Sequence, residues 1–170
     1  MQPISENTMV VTAITPVDLN TAVNPGDYVS LEKYKHCAIV VSAGVGTAAS
    51  DIAITLFQAQ DNAGTGVKAL NCLVTKRVAV KEAVSLAAVG TYTVPTIATA
   101  TNAYSSLTSG ESTCLYVIDI NADDLDVDNG FTHINLSIAK VGASKIGGAN
   151  YHLSQARYMG NAETLKSAIA

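Results

Sequence analysis

Apolar and polar residues alternate one by one in several separate blocks of this chain, and this period of two is its strongest constraint on fold. Along Thr113–Asn121 the residues Cys114, Tyr116, Ile118 and Ile120 fall on one side, with Leu115, Val117 and Asp119 on the other. Such a pattern predicts a strand buried on most of both faces, hence a central one. Residues 50–59 put Ile52, Ile54, Leu56 and Gln58 on one face, and residues 131–141 oppose Phe131, His133, Asn135 and Ser137 to Thr132, Ile134, Leu136 and Ile138. Further strands are predicted at 9–14, 27–31, 37–43, within 70–80, at 92–98 as an edge weakened by Pro95, and at 151–153. Residues 61–66 and 121–130 carry the Asp, Asn and Gly of turns, and 100–110 reads as a long loop. A helix over 79–89 is the local alternative, and 162–170 has the composition for a turn or two of helix. About eight strands at roughly ten-residue spacing predict an all-β single domain, a β-sandwich of jelly-roll-like type.

The chain divides into an extended N-terminal arm, residues 1–25, spaced by Pro3, Pro16 and Pro25, and a β-sandwich domain, residues 26–170. Its 170 residues suffice for one core that buries about 70% of the unfolded-chain surface without a metal or disulfide staple. With 10 basic against 14 acidic residues, the surplus of positive charge that a nucleic-acid binder needs is missing. No apolar window approaches the length of a membrane-spanning helix, and the first residues lack the basic and apolar regions of a secretory signal. The expectation is a soluble protein made in the cytoplasm. Cys37, Cys72 and Cys114 each lie in an apolar or strand-like stretch and are expected as buried, reduced thiols. The sequon at Asn135 falls inside a predicted strand.

Catalytic and ligand-binding patterns are weak. His36, His133 and His152 each stand without a carboxylate or cysteine at ligand spacing, and Ser, His and Asp occur without a nucleophile-elbow motif. His133 is expected at the surface or an interface, His36 at the entry to a strand. No catalytic residue and no cofactor is assigned. Asp124, Asp126 and Asp128 make the one calcium candidate, since hard cations gather carboxylates from one loop. Asn129 and Asn135 stand where that pattern requires Gly and Glu, so turn capping by Asp and Asn is the preferred reading. Gly44-Val45-Gly46 and Gly64-Thr65-Gly66-Val67-Lys68 lack the spacing of phosphate loops and are read as turns. Lys76, Arg77 and Lys81 are read as charges that guard a strand edge.

Several segments together resemble tailed-bacteriophage virion proteins, among them capsid decoration, or cement, proteins. They are Leu56-Phe57-Gln58-Ala59-Gln60-Asp61, Gly64 through Leu70, Tyr116-Val117-Ile118-Asp119, Leu125 through Phe131, and Tyr151 through Tyr158. The resemblance runs from about residue 27 to the C-terminus. It implies a non-enzymatic β-sandwich, often a homotrimer, on the virion capsid exterior, bracing neighbouring subunits of the major capsid protein. Neither nucleic acid nor membrane is an expected partner. A carbohydrate- or receptor-binding β-sandwich module of a virion is the alternative, and the acidic segment would be its calcium loop.

Overall fold

A computed structural model describes residues 4–85 and 90–157. After one short helical turn, α1 (Ile4–Asn7), the chain is built from strands: β1 (Thr8–Asp18), β2 (Asn24–Pro25), β3 (Val29–Ser30), β4 (Tyr34–Ala43), β5 (Ala53–Ala59) and β6 (Lys68–Ala69). Then follow β7 (Val78–Ala83), β8 (Ala103–Ser105), β9 (Thr113–Asn121), β10 (His133–Ile138) and β11 (Ile146–Ala156). One antiparallel sheet runs β1-β11-β4-β9-β7. The other runs β2-β10-β5-β6, with β3 also on β10 and β8 also on β5.

The pairings are nested. β1 bonds to β11, β2 and β3 to β10, β4 to β9, and β5 to β6. The chain is thus one long antiparallel ribbon, doubled back near β5–β6 and rolled so that β11 meets β4 and β10 meets β5. This is jelly-roll connectivity, and the all-β sandwich expected from the alternation is the fold observed. Ile39, Val41, Tyr116, Ile118, Tyr151 and Leu153 of one sheet and Ile54, Leu56, Ile134, Leu136 and Ile138 of the other are buried in a shared core.

Three buried polar groups tie the layers together. The Tyr151 hydroxyl, on β11, accepts from the Leu136 N–H of β10 at 2.9 Å and donates to the Asp27 carbonyl at 3.1 Å, so one phenol joins both sheets. Gln58 on β5 accepts from the Asp126 N–H at 2.9 Å and donates to the Ala69 carbonyl at 3.3 Å. Lys145, only 1% exposed, donates its ammonium hydrogens to the carbonyls of Ser109, Gly110 and Ser112 at 2.6, 3.1 and 2.9 Å. A buried charge is tolerated only when its hydrogens are satisfied, and here carbonyl dipoles do so, fastening the approach to β9 against the start of β11.

Several expectations change. Residues 8–18 of the presumed arm are an edge strand of the five-stranded sheet, and Asn24–Pro25 pair with β10. Ala13 and Ile14 belong to the core, so the segment is part of the sandwich. β1 stays on β11 by bulging between Thr12 and Val17, and its backbone at Ile14 and Pro16 passes so close to Gly148 that a Cβ there would lie 2.8 Å from the Ile14 carbonyl oxygen. The segment 92–98 forms no strand, only a bridge from Thr93 to Val80. Part of the predicted loop 100–110 is strand β8, because Tyr104 and its neighbours find β5. The helical alternative over 79–89 gives way to β7 in its first half; residues 86–89, and the C-terminal helix expected at 162–170, lie outside the described residues. His133 is 8% exposed rather than a surface residue, because the chain at Gln60 and Asp61 lies against its ring.

These contacts set two expected outcomes in thermal or denaturant unfolding. Tyr151→Phe leaves the buried Leu136 N–H without its acceptor and is expected to lower stability by about 1–2 kcal/mol. Lys145→Met keeps the volume but removes three ammonium hydrogen bonds from carbonyls whose remaining donors are the Gly46 and Ser112 N–H groups and the Cys114 thiol, and a loss of about 1–3 kcal/mol is expected. A Lys145→Met variant as stable as the parent would show that the clamp contributes nothing net.

Candidate functional site

The five-stranded sheet carries the long strands β1, β4, β9 and β11, and burial alternates cleanly along its central strands β4 and β9. The middle of its outward face is small and apolar, with Ala38 and Val40 of β4 beside Val117 and Leu115 of β9, all half-buried. At one end three polar side chains form a row across three strands. The His36 ring nitrogen Nδ1 lies 3.1 Å from Ser154 Oγ of β11, and Nε2 lies 3.0 Å from Asp119 Oδ1 of β9. At the other end is a groove of about 550 Å³ walled by Pro16, Gly147, Gly148, Ala83 and Leu115, with Lys81 as the charged residue on its lining.

A serine, a histidine and an aspartate in hydrogen-bond sequence invite a hydrolytic reading. The geometry around them serves a different end. Acyl transfer needs N–H donors aimed at the developing oxyanion, whereas Ser154, His36 and Asp119 sit on strands whose backbones bond to one another in the β11-β4-β9 ladder. The row acts as a cross-strand polar ladder that joins three strands on their outer face. Sequence spacing hid it: its partners lie 118 and 83 positions apart, and only the register of three strands brings them together. The one local signal was that His36 opens the polar side of the strand predicted at 37–43.

The acidic segment after β9 folds into two 3₁₀ turns, Ala122–Asp124 and Val127–Asn129. Its carboxylates do not converge. Asp124 caps the first turn by accepting from the Asn121 N–H at 2.7 Å and pairs with Arg77 at 3.2 Å. Asp126 pairs instead with Lys68 and accepts from the Asn129 amide at 2.9 Å through both oxygens, while the Lys68 ammonium also stands 3.8 Å from the centre of the Phe131 ring. Asp128 joins neither pair. Among the described residues no group of three or more His, Cys, Asp or Glu side chains is placed to hold a metal. Asp61 caps the 61–66 turn, taking the Thr65 hydroxyl at 2.6 Å and the Thr65 and Ala63 N–H groups, and Gly64 and Gly66 supply its positive φ angles of 80° and 69°. The second glycine-rich spot lies in a turn, as read, whereas Gly44–Gly46 follow β4 as irregular chain just before the turn at 48–49. Cys37, Cys72 and Cys114 are buried and unpaired, and burial pushes each thiol up, that of Cys72 to about 12. Lys145 is the buried polar residue that sequence reading passed over, since nothing in its neighbours marks one lysine of a loop as interior.

No family model matches this sequence, and no curated protein matches it. Among solved structures, the SPBc2 prophage-derived protein YomS aligns over 87% of this chain and 94% of its own, at 10% identity and a TM-score of 0.40. A chain in the structure of the infectious bursal disease virus Gx strain aligns over 86% of this chain and 40% of its own, at 11% identity and a TM-score of 0.23. Among the described residues no helix is long and apolar enough to cross a membrane.

The site chemistry sets a pH dependence. Asp126 is held below the ordinary carboxylate range by the Lys68 and Asn129 hydrogen bonds, Asp61 by Thr65, and Asp18 by the Asn20 N–H, with help from Ser144 and Lys145. Each binds its proton less readily folded than unfolded. Their stabilisation is therefore complete above the unfolded-state value and lost as pH falls through the folded one. Burial pushes His133 down, which acts with the same sign and begins as pH drops below the unperturbed imidazole value of about 6.5. The melting temperature is expected to be flat near neutrality and to fall in two stages on acidification. Asp126→Asn is expected to make the lower stage shallower, leaving the part that Asp61 and Asp18 contribute.

Proposed function

We propose that this chain is a non-enzymatic structural protein of a tailed-bacteriophage virion, which decorates the capsid shell and braces neighbouring major capsid protein subunits. The reading rests on the resemblance of its segments to virion proteins. The observation that carries it is what the fold does with those segments. Leu56 and Tyr116 lie in the core, Gln58 bonds to the acidic turns, Asp126 is clasped by Lys68, and Tyr151 joins the sheets. The resembling residues are frame, and a brace requires a rigid frame with broad surfaces more than a reactive pocket.

A shell loaded from within is weakest between capsomers. A protein that touches several subunits there gains from multivalency, because each contact after the first is effectively intramolecular. The resemblance implies a homotrimer for this purpose, on the capsid exterior, after synthesis in the host cytoplasm. Bracing itself needs several copies in one assembly rather than a particular number. The carbohydrate- or receptor-binding alternative would draw on the acidic segment as a calcium loop, and pairing of Asp124 with Arg77 and Asp126 with Lys68 leaves it little to draw on.

Co-sedimentation tests the proposal. Full-length protein is mixed with shells assembled from the major capsid protein of the same phage, and bound protein is counted per shell. Saturable binding that raises the temperature at which the shells rupture is the expected result. Absence of binding to both expanded and unexpanded shells would overturn the shell-brace reading, and calcium-dependent retention on a glycan array would replace it with the alternative.

A further inference from the structure

The edges of the two sheets are not equivalent. β2, β3 and β6 are two residues long and β8 is three, too short to template another strand. β7 carries Lys81 and Glu82 and is bridged on its far side by Thr93, whose backbone exchanges hydrogen bonds of 2.8 and 2.7 Å with Val80. These are the devices by which sheet proteins blunt their edges: shortness, charge and cover.

β1 has none of them along its first half. From Thr8 to Thr12 it keeps an unbroken register with β11 before the first bulge, and among the described residues no strand lies along its other side. Ala13, just beyond, accepts from the Asp27 N–H, which marks where cover begins. The stretch Thr8–Val17 contains no charged residue. Val10 is 49% exposed on the outer face, while Met9 and Val11 turn towards the core and are only partly buried there. The core is thus left open along one uncharged, regular edge.

We propose that β1 pairs, antiparallel and edge to edge, with β1 of a second copy of this chain across a two-fold axis, joining two five-stranded sheets into one. Self-pairing is the occupancy this edge fits. Centred on Val10, it sets Val10 beside its own copy on the outer face, sets Met9 opposite Val11 on the core side, and sets Thr8 opposite Thr12. Glu6 lies in the helical turn α1, outside the paired stretch, and Thr8–Thr12 carries no charge, so no like charges meet along it. The open backbone groups find partners, and the partly buried Met9 and Val11 are covered. A two-fold contact of this kind is closed and uses the same surface on both copies. It goes beyond the shell-brace reading and does not depend on it.

The test is the solution mass of full-length protein by light scattering at micromolar concentration, for the parent and for Val10→Lys, Thr12→Lys and Val23→Lys. Val10, Thr12 and Val23 are exposed, and Val23 lies away from the edge. Two copies are expected for the parent and Val23→Lys, and one for Val10→Lys and Thr12→Lys, with circular dichroism showing that all four fold. Amide exchange is expected to show Thr8–Thr12 protected in the parent and at least tenfold less so in Val10→Lys, while β9 is unchanged. A parent mass of one copy overturns the proposal, a mass of three favours the threefold assembly that the resemblance implies, and a two-copy species indifferent to both edge lysines places the contact elsewhere. Failure to bind shells by a protein with the expected masses sinks the shell-brace reading alone.

Discussion

The last strand holds the roll closed. β11 lies between β1, the first strand, and β4, and it bonds to both along most of its length. Its Tyr151 hydroxyl reaches across the core to β10, and Lys145, just before it, clamps the approach to β9. Until β11 is in place, the outer pair of the nested ribbon is open, β1 has no partner in its sheet, and the core cluster lacks Ala149, Tyr151 and Leu153. The contact between the chain's first and last strands closes the longest loop in the fold, so its entropy must be overcome before the contact contributes anything. The buried phenol and ammonium are therefore set where closure happens.

A structure built this way is rigid in its middle and defined by its margins. Its polar clusters serve as fasteners: Asp124 and Asp126 hold Arg77 and Lys68 to the turns after β9, Asp61 caps the 61–66 turn, and the Ser154–His36–Asp119 row runs across three strands. With those groups engaged internally, the outer sheet face and the half of β1 that no described strand covers remain exposed. Shape and backbone complementarity would govern recognition at both. That is the kind of recognition a shell brace relies on, and it differs from the convergent polar groups of a ligand pocket.

Much of the fold was legible one residue at a time. The strand expected at Thr113–Asn121 has those bounds, and it lies between β4 and β7 as its double-sided burial required. Strands at 37–43 and 50–59 appear as β4 and β5, the latter with Ile52, Ile54, Leu56 and Gln58 facing inward. The failures share a cause. β8 has only three residues, too few to show a period, and exists because β5 offers an edge to it. The segment 92–98 has strand composition but meets a neighbour only at Thr93. His133 and Asn135 are polar yet buried, since chain from elsewhere lies against them, Gln60 and Asp61 at His133 and the Gly26 carbonyl at the Asn135 amide, which alternation within the strand does not show.

The sequence by itself determined that this chain forms strands, where most of them run, which of their faces are apolar, and that residues 61–66 and the acidic segment are turns. Alternation and turn chemistry are local, and the chain obeys them wherever it goes. Tertiary structure alone decided that the proline-spaced first segment joins the sheet, that Lys145 becomes an interior cation held by three carbonyls, and that Ser154, His36 and Asp119 meet. Each of these depends on register and closure between residues far apart in sequence, which are settled by the free energy of the whole roll and not by any segment within it.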